Sequence, residues 1–136
     1  HTATAEGRNA VAHMKGQEPP IRMETVPTCI YSVPEIASVG ISADEAKEQG
    51  IEIITKKYAM GANGKTVLED LGRGTIKLIA DADSHILLGA QLMCGRATDL
   101  VGELALAISN KLTLEDVAST IHPHPTFVEA IAEAAR

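Results

Sequence analysis

Two apolar runs, Thr75–Asp81 and His85–Cys94, stand on either side of an Asp-Ala-Asp-Ser turn, and no other stretch constrains the fold as much. Runs of this length, rich in Ile and Leu and bounded by turn residues, read as strands. A connection this short can only lay the second strand beside the first, antiparallel. Three more β-prone pieces precede them. Ile51–Met60 alternates loosely through Ile51 and Ile53, while Cys29–Ser32 and Ile36–Ile41 flank Pro34, which confines that pair to an edge or bend. Helix signals fill the intervals. Ser42-Ala43-Asp44-Glu45 has the spacing of a capping box, and Gly50 ends the helix it opens. Thr98–Asn110 is the strongest helix, with Val101, Leu104, Ala105, Ile108 and Leu112 at three- and four-residue steps. Leu100, Leu106 and Ala107 make its other side apolar as well, which suggests burial on two sides. Leu114–Ser119 is a short helix capped by Thr113, and Phe127–Ala135 is the last. The expected fold is α+β, a mostly antiparallel sheet of about four or five strands with helices packed on one side.

The first part of the chain is set apart. Residues 3–15 read as a helix stopped by Gly16, and Gly16-Gln17-Glu18-Pro19-Pro20 reads as a linker, so 1–20 is an appendage and 21–136 the domain. Gly61-Ala62-Asn63-Gly64 and Gly72-Arg73-Gly74 read as turns. Neither has the glycines, strand and helix start of a phosphate-cradling loop. Asp81 and Asp83 lack the glycine and distant glutamate of a calcium loop.

Composition narrows the function. A net charge of −6 and 2% aromatic residues without tryptophan offer neither the basic patch nor the stacking platforms that nucleic acid needs. No apolar run approaches the roughly 18 residues of a membrane span. No signal-peptide pattern is present, so the cytoplasm is the expected location. Cys29 and Cys94 are far apart, each within an apolar run, and read as free structural thiols rather than a redox pair or zinc site.

The chemistry concentrates in His122-Pro123-His124-Pro125-Thr126-Phe127-Val128-Glu129. Each proline fixes its own φ and pushes the histidine before it into extended backbone. Thr126 and Glu129 are spaced as a capping box, which predicts a helix from Phe127. A carboxylate in that first turn can take a hydrogen bond from the histidine ahead of it and set its tautomer, which prepares a general base. On these residues alone two readings stay open: a prepared base, or a helix cap beside two surface histidines. A His-x-His pair can also bind zinc, but two further ligands would have to come from His13, His85 or the carboxylates.

From Val26-Pro27-Thr28 onward the sequence resembles the interface domain of the dihydrolipoamide dehydrogenases, flavoproteins of the pyridine nucleotide–disulfide oxidoreductase family. The resemblance is carried by Val33-Pro34-Glu35-Ile36-Ala37-Ser38-Val39-Gly40, Ala62-Asn63-Gly64-Lys65, Leu88-Gly89-Ala90 and Glu103-Leu104-Ala105-Leu106-Ala107-Ile108. The closing segment, His122 through Glu129, is the most specific match. Residues 1–16 resemble the tail of the flavin domain, with His1 as the remnant of a segment that runs beside the flavin.

The resemblance implies that this domain forms the homodimer and presents its His–Glu pair to the partner subunit's active site. By position, His124 would be the acid–base catalyst for dihydrolipoamide and Glu129 the carboxylate that orients it, with His122 as structural support. It also implies a tight turn with one of the motif's two X-Pro bonds cis, His124–Pro125 favoured over His122–Pro123, FAD and NAD as the parent enzyme's cofactors, and a lipoyl-bearing protein as its substrate. This chain departs from the whole-enzyme pattern. It has no GxGxxG loop and no closely spaced redox cysteines, so no cofactor is expected on it and no dehydrogenase activity from it alone. The neighbouring possibilities are the interface domain of a glutathione or mercuric reductase, or a stand-alone metal-binding module.

Overall fold

A computed structural model describes all residues, 1–136. Its centre is one five-stranded sheet in the order β1-β2-β5-β4-β3, antiparallel throughout. The strands are β1 (Thr28–Ile30), β2 (Glu35–Gly40), β3 (Ile53–Ala59), β4 (Thr75–Asp81) and β5 (Leu87–Cys94). The β4–β5 hairpin lies inside the sheet, where its unbroken apolar runs belong. Asp81 closes its turn by accepting from the Ser84 N–H at 2.8 Å and the Ser84 hydroxyl at 2.7 Å. The β1–β2 pair, with Pro34 between its strands, takes one edge and β3 the other.

Six helices complete the chain: α1 (Thr2–Met14), α2 (Ala43–Glu48), α3 (Gly64–Leu68), α4 (Ala97–Ser109), α5 (Leu114–Ser119) and α6 (Glu129–Ala135). α4 packs on β2 and β5, α6 on β3 and β4, and α5 on α6. Every second strand residue faces them, among them Ala37, Val39, Ile76, Leu78, Ala90 and Leu92, all buried in one core. The other sheet face carries Ser38, Lys57, Lys77 and Gln91 beside the half-exposed Ile36 and Met93. The expected α+β layering is therefore present; β4 keeps its expected ends, β3 and β5 are shorter than expected, and β1 and β2 each begin one residue early.

Two expectations are corrected. Gly61-Ala62-Asn63-Gly64 is not a plain turn: Met60–Ala62 form a 3-10 turn, and Asn63 caps α3 by accepting from the Thr66 N–H at 2.9 Å. The core stripe of α4 is also wider than the expected one, with Val101 and Leu104 buried as expected and Ala105 and Ile108 packed against the core. Ala97, Leu100, Val101, Leu104 and Ala107 are buried, so Leu100 and Ala107 belong to the core, while Leu106 stays 62% exposed. The stripe that fits the groove between β2 and β5 starts one turn earlier than the pattern counted from Val101. In α1, only Ala12 of the apolar positions is buried, and Gly16 at φ +67° ends the helix as expected.

The N-terminus of α4 has no cap of its own. Its first residues follow Arg96, which has positive φ and makes no side-chain cap. Glu35, on β2, supplies one from outside: its Oε2 accepts from the Thr98 N–H at 2.9 Å and the Thr98 hydroxyl at 2.7 Å. A carboxylate suits a helix N-terminus, where free N–H groups and the dipole are both positive.

Candidate active site

The segment before α6 is fixed from several directions. Val128 and Phe127 open the helix with tight three-residue bonds, Ile131 N–H to Val128 O at 2.9 Å and Ala130 N–H to Phe127 O at 3.2 Å. Regular helix therefore begins at Glu129, two residues later than expected from the capping box. The box itself forms: the Thr126 N–H donates to Glu129 Oε1 at 3.1 Å, and the Glu129 N–H to the Thr126 hydroxyl oxygen at 3.4 Å. The Thr126 hydroxyl donates back to Pro123 O at 2.6 Å, which folds the proline segment against the helix start. The His124–Pro125 bond is cis, as expected, and so is Val33–Pro34.

His124 and Glu129 are brought together. His124 Nδ1 lies 2.8 Å from Glu129 Oε2. Glu129 meets the helix start with Oε1 and the imidazole with Oε2. The His124 bond, first among several causes, holds the Glu129 carboxyl below its ordinary value, with the Thr126 N–H also lowering it and burial opposing. An ionised carboxylate only accepts, so Nδ1 carries a proton, and the lone pair of a neutral ring sits on Nε2. Nε2 has no hydrogen-bond partner in the chain, and the His124 side chain is 76% exposed against 21% for Glu129. Nearby, the Tyr58 hydroxyl on β3 is pushed toward its protonated form by burial and then by Glu133 and Glu129.

His122 is different in kind. Its side chain is 6% exposed, its Nε2 lies 2.8 Å from Glu103 Oε1 on α4, and its Nδ1 lies 3.0 Å from Thr120 O. Both nitrogens are in contact within the chain, which ties the loop to α4. The sequence did not reveal Glu103 as its partner, since nothing local links the two. The two histidines thus take separate carboxylates rather than a shared centre, and no cluster of three or more His, Cys, Asp or Glu residues could hold a metal. His1 lies elsewhere: its exposed ring contacts Pro27 O at 2.9 Å and makes no bond to the pair. Cys29 and Cys94 are free thiols. No helix is long and apolar enough to cross a membrane.

Comparison with known proteins places this chain in a family. Residues 26–135 match the model of the pyridine nucleotide-disulphide oxidoreductase dimerisation domain. Among curated relatives, dihydrolipoyl dehydrogenase from Bacillus subtilis is 43% identical over 136 residues, covering 99% of this chain and 29% of that protein. Dihydrolipoyl dehydrogenase from Halobacterium salinarum is 40% identical over 135 residues, covering 99% of this chain and 28% of that protein. The chain thus spans under a third of the length of the relatives it matches. Among solved structures, LpdA from Mycobacterium tuberculosis superposes with a TM-score of 0.87 at 26% identity, covering 96% of this chain and 28% of that one. The flavoprotein disulfide reductase RclA from Escherichia coli, at 21% identity and TM-score 0.85 over 94% of this chain and 30% of that one, shares the fold. The chain belongs to the dimerisation-domain family of the pyridine nucleotide-disulphide oxidoreductases.

Proposed function

We propose that this chain is the interface domain of a dihydrolipoyl dehydrogenase, that it forms a homodimer, and that it supplies His124 and Glu129 to the active site of the partner subunit. The observation that carries the reading is the 2.8 Å His124–Glu129 bond, which fixes the tautomer and leaves Nε2 free on an exposed ring. A thiol with a pKa near about 8.5 is a poor nucleophile until a base takes its proton. His124 Nε2 accepts the proton of a dihydrolipoyl S–H, and the S–H electron pair stays on sulfur as a thiolate able to attack a disulfide. Glu129 keeps the imidazole turned to that task and stabilises the charge the ring gains.

The rest of the reaction belongs outside this chain. Its residues do not fit FAD or NAD, since no glycine-rich loop joins a strand to a helix start with its backbone open to a pyrophosphate. His1, the one flavin-side candidate, is turned to Pro27 O. FAD and NAD would be held by other domains, and a lipoyl-bearing protein would deliver the substrate. Residues 1–20 would be the tail of the flavin domain with its linker and 21–136 the interface domain, inactive by itself, in a cytoplasmic enzyme. The test is His124→Gln in the full-length protein that carries this chain, assayed with dihydrolipoamide and with glutathione disulfide. The expected result is a loss of lipoamide turnover of about a hundredfold or more with the fold intact. Near-normal turnover removes His124 from the mechanism, and preference for glutathione disulfide moves the chain to a sister enzyme.

A further inference from the structure

The Ala62-Asn63-Gly64-Lys65 stretch puts an amide side chain where the interior is closed. Asn63 is 2% exposed, and its amide is engaged at both ends. Oδ1 accepts from the Thr66 N–H at 2.9 Å and the Thr66 hydroxyl at 3.0 Å. Nδ2 donates to Thr126 O at 2.9 Å and to Glu129 Oε1 at 3.4 Å. The partners fix which end is which, because an N–H only donates while a carbonyl and an ionised carboxylate only accept.

Capping α3 does not require an amide. α2 and α5 in the same chain are capped by Ser42 and Thr113, each backed by a carboxylate three residues on. At α3 the cap is a residue with two ends, and the second end reaches across to the loop that carries His124. A buried amide is costly unless each of its groups is bonded, so the donor half marks a position where a donor is needed. Of the donors to Glu129 Oε1, the Thr126 N–H lies in the loop that the carboxylate itself holds; Asn63 comes from a separate element, next to the sheet. Without Nδ2 the carboxylate keeps on Oε1 only the Thr126 N–H, a donor from the same loop that it holds, so nothing outside that loop then fixes Oε2 under His124 Nδ1.

We propose that Asn63 is a positioning residue for the His124–Glu129 pair, bracing both the Thr126 carbonyl and the Glu129 carboxylate through one side-chain amide. This rests on the reading of that pair as catalytic.

The experiment uses the full-length protein that carries this chain. Asn63→Asp keeps the size and the acceptor toward Thr66 but replaces the donor with an oxygen, and Asn63→Ser keeps a helix cap with no donor reaching Glu129. Both are expected to lower kcat for dihydrolipoamide about tenfold, with KM changed by less than about twofold. Hydrogen exchange in residues 120–128 should quicken while the β4–β5 hairpin stays protected. Thr66→Val, which removes one bond at the other end of Asn63, should lower Tm and leave kcat within about twofold. In a Glu129→Gln background the effect of Asn63→Asp on kcat should largely vanish, because both changes act through one carboxylate. Unchanged kcat in a folded Asn63→Asp or Asn63→Ser protein, or an undiminished loss in the Glu129→Gln background, overturns the proposal. Should His124→Gln leave turnover intact, the catalytic reading has failed on its own. The exchange measurement then decides for or against Asn63 as the brace of this segment.

Discussion

Gly40 and Gly89 stand opposite one another in the β2–β5 ladder, and neither has room for a methyl group. A Cβ on Gly89 would overlap the carbonyl oxygen of Ile41, and one on Gly40 that of Leu88. Gly40 also has a φ of +72°, where L side chains are strained. Both obstacles are backbone, so neither can swing aside. Gly89→Ala is expected to destabilise the fold by about 1–3 kcal/mol or more, read as a lowered urea midpoint with an unchanged slope. A midpoint equal to that of the parent would show that the two strands can part there without loss.

Glu35 is expected to give stability that depends on acid pH. The Thr98 hydroxyl, then the Thr98 N–H, hold its carboxyl below its ordinary value of 4.5, with Arg96 adding attraction and burial opposing. Because the folded value is the lower one, the unfolded chain takes up the proton more readily. The contribution is then full above the ordinary value and is lost as pH falls through the folded one. Glu35→Ala should cost about 1 kcal/mol near neutrality, the usual worth of a helix cap in a partly solvated setting. The gap between variant and parent, followed by denaturant melts from neutral to acid pH, should hold steady down to the ordinary carboxyl value of 4.5 and narrow below it. A gap that widens on acidification would contradict the assignment.

Cys94 is expected to resist thiol reagents in the native state. It is 1% exposed, and burial, helped by the nearby Glu35 charge, pushes its thiol up to about 11. Since the thiolate is the reactive form, labelling with iodoacetamide at neutral pH should modify the half-buried Cys29 first and Cys94 only after unfolding. Native-state labelling of Cys94 at the faster rate would overturn this.

Leu106 is expected to lie in the proposed dimer contact. It is the large apolar residue that α4 leaves exposed, on a helix whose other face is already committed to the sheet. Sedimentation equilibrium should show a dimer, with about 1,200 Å² or more buried for a stable pair. Leu106→Glu should raise its dissociation constant about tenfold or more without lowering Tm. A wild-type chain that stays monomeric at all concentrations would remove the homodimer from the proposal.

What the sequence made legible was local. The β4–β5 hairpin and the α2 cap depend on residues a few positions apart, and Ser42 with Glu45 does form its box. The His124–Glu129 contact was legible for the same reason, with one carboxylate oxygen on the helix start and the other on the imidazole. What was hidden depends on distant partners. Glu103 reaches His122 from another helix, Glu35 caps α4 from a strand, and Asn63 looked like a turn residue because its second end bonds a loop near the other end of the chain. The extra width of the buried α4 face, Ala97, Leu100 and Ala107, was not fixed by periodicity because both sides are apolar, and only the shape of the sheet beneath decides how much goes in.

The completeness of the His124–Glu129 contact within a single chain has a thermodynamic consequence. The ordering of both side chains is accomplished when this domain folds, before any other surface arrives, and so does not weaken a later association. The exposed ring is also an uncommitted docking element. Whatever surface meets it needs only to be complementary in shape and need not rearrange the imidazole. The rate of such an encounter then reflects diffusion and fit, with no conformational step charged to the histidine.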